Sequence, residues 1–139
     1  MANRDRPNIL MIVSDQERAD VLGCYGGPCR TPAIDGLAAD GVRFETCLAP
    51  TAICSPTRAS FLTGLYPHGH GILNNTHEPD ALRVDLAPGV VTYSELLRDA
   101  GYRLGYVGKW HVSWERTPLD VGFHDLRAPS GCARARAPD

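Results

Sequence analysis

Lysine is almost absent from this sequence: of 14 lysine and arginine residues in 139, only Lys109 is a lysine. An excess of charge is missing too. The 14 basic and 16 acidic residues leave a net charge of −2, too little for long-range attraction to nucleic acid or an anionic membrane, so neither is expected as a partner. The chain also lacks long apolar runs. Residues 9–13, Ile-Leu-Met-Ile-Val, fall far short of the roughly 20 residues that a membrane span needs. They lack the length and the small-residue cleavage site of a secretory signal as well, so a cytoplasmic location is expected. The five cysteines, Cys24, Cys29, Cys47, Cys54 and Cys132, are odd in number and without periodic spacing, which specifies no disulfide framework. No second pair with ligand spacing follows Cys24 and Cys29, so a zinc site is not expected.

What remains is an ordinary globular composition, 43% hydrophobic and 22% charged, with the length of one domain. Residues 9–13 are continuously apolar and partly β-branched, the pattern of a strand buried on both faces of a parallel sheet. They stop at Ser14, Asp15 and Gln16, and the carboxyl ends of such strands are where open α/β sheets place ligand sites. Thr31 and Pro32 open a helix as N-cap and first residue, with Gly41 as its left-handed stop. Residues 42–47 alternate weakly and read as a short strand. Ser55 and Pro56 repeat the cap-and-proline start for a helix over 56–63 ended by Gly64. Residues 65–91 carry Gly, Pro, Asn and His and read as a long functional loop. Thr92 and Glu95 form a capping box for a helix over 93–100, with Leu96, Leu97 and Ala100 as its buried stripe. Residues 102–107 read as a second inner strand, again ending in polar groups. Strands alternating with helices predict an α/β fold with a partial mixed or parallel sheet flanked by helices. Residues 128–139, rich in Ala, Arg and Pro, read as an irregular tail, out of frame or disordered.

Three polar clusters end up at the ends of these elements: Asp15 and Gln16, Cys54, and Lys109 with His111. Cys54 would sit at a helix N-terminus, where backbone N–H groups favour an anion or an anionic nucleophile. Arg58 follows one turn later. The spacing is Cys-x3-Arg, which does not match the Cys-x5-Arg of a phosphatase loop. A chain that uses arginine everywhere else and lysine at position 109 points to a site that needs a compact ammonium there. His68, His70 and His77 read as solvated loop side chains, with substrate contact as the alternative. Trp110 and Trp114 read as packing residues.

The run Cys54-Ser55-Pro56-Thr57-Arg58, followed by Ala59-Ser60-Phe61-Leu62-Thr63-Gly64, resembles the first signature of the type I sulfatases. These are the formylglycine-dependent members of the alkaline phosphatase superfamily. Gly101-Tyr102-Arg103-Leu104-Gly105-Tyr106-Val107-Gly108-Lys109-Trp110-His111 resembles the second signature, with Leu104 in place of a small hydroxyl residue. Pro7-Asn8-Ile9 through Asp15 is similar to the family's opening strand and metal-binding aspartate, and residues 117–123 to the segment after the second signature. The resemblance covers residues 6–127.

It implies an alkaline-phosphatase-like sulfatase domain of which residues 1–127 are the N-terminal part. It also implies a sulfuric ester hydrolase in which Cys54, converted by a formylglycine-generating maturation enzyme, supplies a hydrate as nucleophile. By the same resemblance Asp15, Gln16 and the modified Cys54 would bind a divalent cation. Arg58 would hold the hydrate, Lys109 would neutralise a sulfate oxygen, and His111 would hydrogen-bond the hydrate or aid proton transfer. Many members carry a second aspartate where this chain has Gln16, which removes one negative charge. Relatives with Asp-Gln include choline sulfatases and phosphonate or phosphate ester hydrolases. Calcium and manganese, and sulfate and phosphorus esters, therefore stand as alternatives. The family's later metal ligands are not in these 139 residues, which makes a truncated reading frame the expectation. A non-catalytic remnant is the competing class.

Overall fold

The computed structural model describes residues 6–127. The expected irregular tail, 128–139, lies outside the described residues. The chain divides into two compact units, Met1–Cys47 and Leu48–Asp139. No helix among the described residues is long and apolar enough to cross a membrane.

In the first unit, helix α1 spans Pro32–Asp40 and starts with proline in its first turn, as the sequence predicts. Thr31 precedes it, but its hydroxyl does not cap the helix. The Thr31 Oγ1 accepts from the Gly23 N–H at 2.9 Å and donates to Asp35 Oδ1 at 2.8 Å. Asp35 Oδ1 also accepts from the Cys24 N–H at 2.7 Å. One carboxylate thus ties α1 to the 3₁₀ turn Gly23–Tyr25. Gly41 takes an extended φ of −119°, so α1 ends without the expected left-handed residue.

Residues 9–13 do not form the expected buried strand: Leu10 is 84% and Ile12 80% exposed. A buried strand needs hydrogen-bonded neighbours and covered faces, and the sole ladder among the described residues joins two later strands. Residues 42–47 form no strand for the same reason.

In the second unit, α2 spans Cys54–Thr63, α3 Pro67–His70 and α4 Tyr93–Asp99. Strand β1 (Gly105–Val107) pairs in parallel with β2 (Asp125–Arg127), Tyr106 lying opposite Leu126. Parallel neighbours need a crossover, and here residues 108–124 supply it. Gly64 stops α2 at φ +69° as predicted. The apolar core gathers Ala59 and Leu62 of α2 with Ile72, Leu86, Leu104, Trp110, Val112, Val121 and Phe123. A row of edge-to-face rings runs from Trp110 to Tyr106, Phe123 and Tyr93, with centroids 5.5, 5.2 and 6.5 Å apart. That geometry suits the ring quadrupoles and adds about 0.5–1.5 kcal/mol per pair beyond burial.

The Thr92–Glu95 capping box forms as predicted: Glu95 N–H donates to Thr92 Oγ1 and Thr92 N–H to Glu95 Oε2. The buried stripe does not. Leu96 is 62% exposed and Ala100 is exposed, while Leu97 and Tyr93 pack on the core. The reason lies in the first turn of α4, where the buried Ser94 hydroxyl donates to Val121 O at 2.6 Å. Burial thereby centres on Tyr93, Ser94 and Leu97. Gly122 makes this approach possible. It sits at φ +98°, and a Cβ there would meet Ser94 and Glu95 backbone atoms at 2.9 Å.

Within residues 65–91, His70 is fully buried and structural, with no place in a solvated loop. Its Nδ1 accepts from the Ile72 N–H at 3.2 Å, so Nε2 carries the proton and donates to Ser60 Oγ at 3.0 Å. Burial holds its pKa below the ordinary imidazole value.

Two outcomes follow from this packing. Gly122→Ala combines a forbidden φ with backbone overlap and should lower stability by about 2–3 kcal/mol, read as a urea midpoint shift. Gly89→Ala, at φ +79° with no atom within 4 Å of a Cβ, should cost distinctly less; equal losses would refute the close approach. Because the folded-state pKa of His70 is depressed, its contribution is complete above about 6.5 and is lost as pH falls through the folded value. Melting temperature should therefore drop as pH falls below about 6.5, and His70→Gln should flatten that slope. Asp120 is held below its ordinary carboxyl value by hydrogen bonds from Thr117. Its loss begins only below that value, in a separate and more acidic window.

Candidate active site

Cys54 is the first residue of α2, and Ile53, with extended backbone, takes the N-cap position. The sequence places Ser55 there; the structure does not. The Ser55 N–H is instead received by the side chain of Asn75, at 3.2 Å to Oδ1. Ser55 Oγ is buried and accepts from the Thr76 N–H at 3.3 Å. A loop twenty residues downstream thus caps the helix, so the proline-bearing turn begins one residue before the serine. Thr57 Oγ1 donates to Thr51 O, fixing the entry to α2 from the other side.

One sequence-predicted residue meets Cys54 here, and a second holds that residue in place. Lys109 Nζ lies 3.5 Å from Cys54 Sγ. Arg58 Nη1 donates to the backbone carbonyl of Lys109 at 2.9 Å, and Tyr106 Oη donates to the same oxygen at 2.5 Å. Burial raises the Tyr106 pKa, opposed by the neighbouring Arg58 charge, so the phenol remains a donor. Arg58 therefore orients the residue that carries the ammonium. Trp110, 2% exposed, anchors the next position, its Nε1 donating to Arg116 O at 2.7 Å. Trp114, by contrast, is largely exposed.

His111 follows Trp110 and takes φ +54°. Its Nε2 is hydrogen-bonded to His77 Nδ1, and His77 Nε2 stands 3.3 Å from Glu78 Oε1. His77 therefore belongs to this group of side chains, whereas His68 stacks in parallel on Tyr66, 6.1 Å between centroids. Sequence reasoning missed Asn75, Thr76 and Tyr106 as supports of the site. The one signal for the first two was a compact polar run, Asn74-Asn75-Thr76-His77, inside a Gly/Pro-rich loop.

Asp15 and Gln16 belong to the first unit and are exposed, just after residues 9–13. Gln16 has φ +58°; with His111 it makes up the non-glycine positive-φ residues of the described chain. Such backbone costs about 1–3 kcal/mol and collects at functional positions. The Asp15 carboxylate and the Gln16 amide oxygen are hard donors of the kind calcium and manganese take. Among the described residues no three His, Cys, Asp or Glu side chains cluster to hold a metal, so these two oxygens are a partial set.

Comparison with known proteins places these features in one family. The sulfatase family model matches residues 7–132. The rat (Rattus norvegicus) steryl-sulfatase is 42% identical over 111 residues, covering 76% of this chain and 19% of that protein. The N-acetylglucosamine-6-O-sulfatase of Bacteroides thetaiotaomicron is 34% identical over 116 residues, covering 83% of this chain and 20% of that protein. A structure solved in complex with its substrate D-glucosamine-2-N,6-O-disulfate superposes with a TM-score of 0.77 at 34% identity. It covers 91% of this chain and 24% of that one. The chain spans about a fifth of the length of the curated relatives it matches. With its alkaline-phosphatase-like α/β architecture, the chain belongs to the sulfatase family.

Proposed function

We propose that this chain carries the nucleophile and an anion-binding cation of an enzyme that hydrolyses sulfate esters of alcohols. The observation that carries this reading is Cys54, first in α2, with the ammonium of Lys109 3.5 Å away. The sulfatase relatives support the reaction class. In this reading residues 1–127 are part of the catalytic domain, and Cys54 becomes formylglycine through a maturation enzyme. Its hydrate would attack sulfur with loss of the alcohol, and the sulfated hydrate would then release sulfate as the aldehyde re-forms. Lys109 supplies a fixed positive charge where negative charge builds on the sulfate and leaving oxygens, in a setting where preorganised cations act strongly. Arg58 and Tyr106 hold the Lys109 backbone, and Arg58 would also hold the hydrate. His111 bonds the hydrate or moves its proton. The Asp15 and Gln16 oxygens are hard donors that would hold a divalent cation, a source of positive charge when bound.

Gln16 favours a second reading. An amide in place of a carboxylate leaves a less negative cation site, which suits a phosphate or phosphonate ester hydrolase of the same superfamily.

Conversion of Cys54 is the direct test. Co-expression with a formylglycine-generating enzyme and peptide mass spectrometry should show loss of the thiol at Cys54 and at no other cysteine. An intact Cys54 thiol, under conditions that mature a control sulfatase, would overturn the assignment.

Lys109→Ala should lower release of sulfate from an aryl sulfate by about 10²–10³-fold while barely moving the melting temperature. Arg103→Ala is the control: its ion pair with Asp125 is solvent-exposed, worth about 0–1 kcal/mol, and turnover should persist. Near-normal turnover in both variants would remove Lys109 from the site.

A further inference from the structure

We propose that His77 is a positioning residue for His111, fixing its ring and its tautomer so that Nδ1 is the lone-pair nitrogen. The proposal rests on the hydrolase reading above, in which His111 handles a proton at residue 54.

Two neutral imidazoles that share a hydrogen bond must divide the roles of donor and acceptor. His111 Nε2 and His77 Nδ1 share such a bond, with ring centroids 4.4 Å apart and planes tilted by 36°. The carboxylate contact on the far side of His77 favours one direction. Its Nε2 lies 3.3 Å from the Glu78 carboxylate, and an ionised carboxylate only accepts. The proton of His77 therefore sits on Nε2, and Nδ1 offers a lone pair. His111 donates from Nε2, which makes Nδ1 the lone-pair nitrogen of its ring.

The backbone gives a reason for such a support. His111 is held at φ +54°, a conformation that persists in non-glycine residues when the surroundings over-determine it. Buried Trp110 fixes the residue before it, and His77 fixes the ring itself. His77 in turn follows Asn75 and Thr76, both bonded to Ser55 in the first turn of α2. The segment that caps the nucleophile's helix thus also holds the imidazole, and sets the two in register.

Long-range ¹H–¹⁵N spectra of the histidine-labelled chain at neutral pH read the tautomer directly. His111 should show the Nε2–H pattern. In His77→Ala the pattern should give way to exchange between tautomers. His77→Asn, which can place an amide oxygen near the lost Nδ1, should restore it. If His77→Ala unfolds, His77→Leu fills the space without an acceptor and takes its place. In an aryl sulfate assay His77→Ala should lower kcat by about 10–100-fold with KM little changed, the scale seen when partners that orient site histidines are lost. His77→Asn should recover most of that loss. A Nδ1–H pattern for His111 in the parent chain, an unchanged pattern in His77→Ala, or a kcat loss that asparagine does not recover would overturn the proposal. If the parent itself releases no sulfate, the hydrolase reading fails, and the spectra still decide the role of His77.

Discussion

The carbonyl oxygen of Lys109 receives hydrogen bonds from Arg58 on α2 and from Tyr106 on β1. One acceptor with two donors fixes the chain at the point where it leaves the strand. Both donors come from elements already committed elsewhere, Arg58 to the first turns of α2 and Tyr106 to the ring row of the core. A bond from a guanidinium contributes about 1.5–3 kcal/mol, more than a neutral one. The flexible four-carbon stem of Lys109 therefore starts from a fixed root, and its ammonium reaches Cys54 Sγ with little of the entropy cost that such a chain otherwise carries.

The same economy shapes α2. Its buried side includes Ser55, Pro56 and Ser60 beside Ala59 and Leu62. Buried hydroxyls destabilise unless paired, and each is paired: Ser55 with Thr76, Ser60 with His70. Both partners come from residues 65–78, so that stretch is held to the helix by polar contacts as well as by the apolar Ile72. Further along, the loop is fastened by the Arg116–Asp85 ion pair at 2.7 Å and by the Trp114 N–H donating to Val84 O at 2.9 Å.

Elements whose signals are local were legible in the sequence. The Thr92–Glu95 box, the Gly64 stop and Pro32 in the first turn of α1 depend on residues within four positions of each other, and all formed. Cys54, Arg58 and Lys109 were legible through their motifs, and the structure brings them together. What failed depends on distant partners. Residues 9–13 read as a strand because the pattern is apolar, yet a strand exists only against neighbours. Ser55 read as a cap, but the cap is Asn75, supplied through tertiary structure. Leu96 read as core from helical spacing, whereas the Ser94–Val121 bond sets which side of α4 is covered. No spacing rule announces that His77 pairs with His111 from thirty-four residues away.

Asn75, Thr76 and His77 are consecutive, and each has a different fixed appointment: a helix N–H, a buried serine hydroxyl and an imidazole ring. Such a segment has no spare length. One residue inserted or deleted between positions 75 and 77 would break at least one of the three contacts, because neighbouring side chains project in different directions. Loops ordinarily absorb insertions at small cost; this stretch is an exception within one. Changes in chain length should therefore be tolerated in its flanks, such as residues 79–83, where the side chains are mostly exposed. A diversifying lineage could remodel the rim of the site there, while the triplet stays as short as it is.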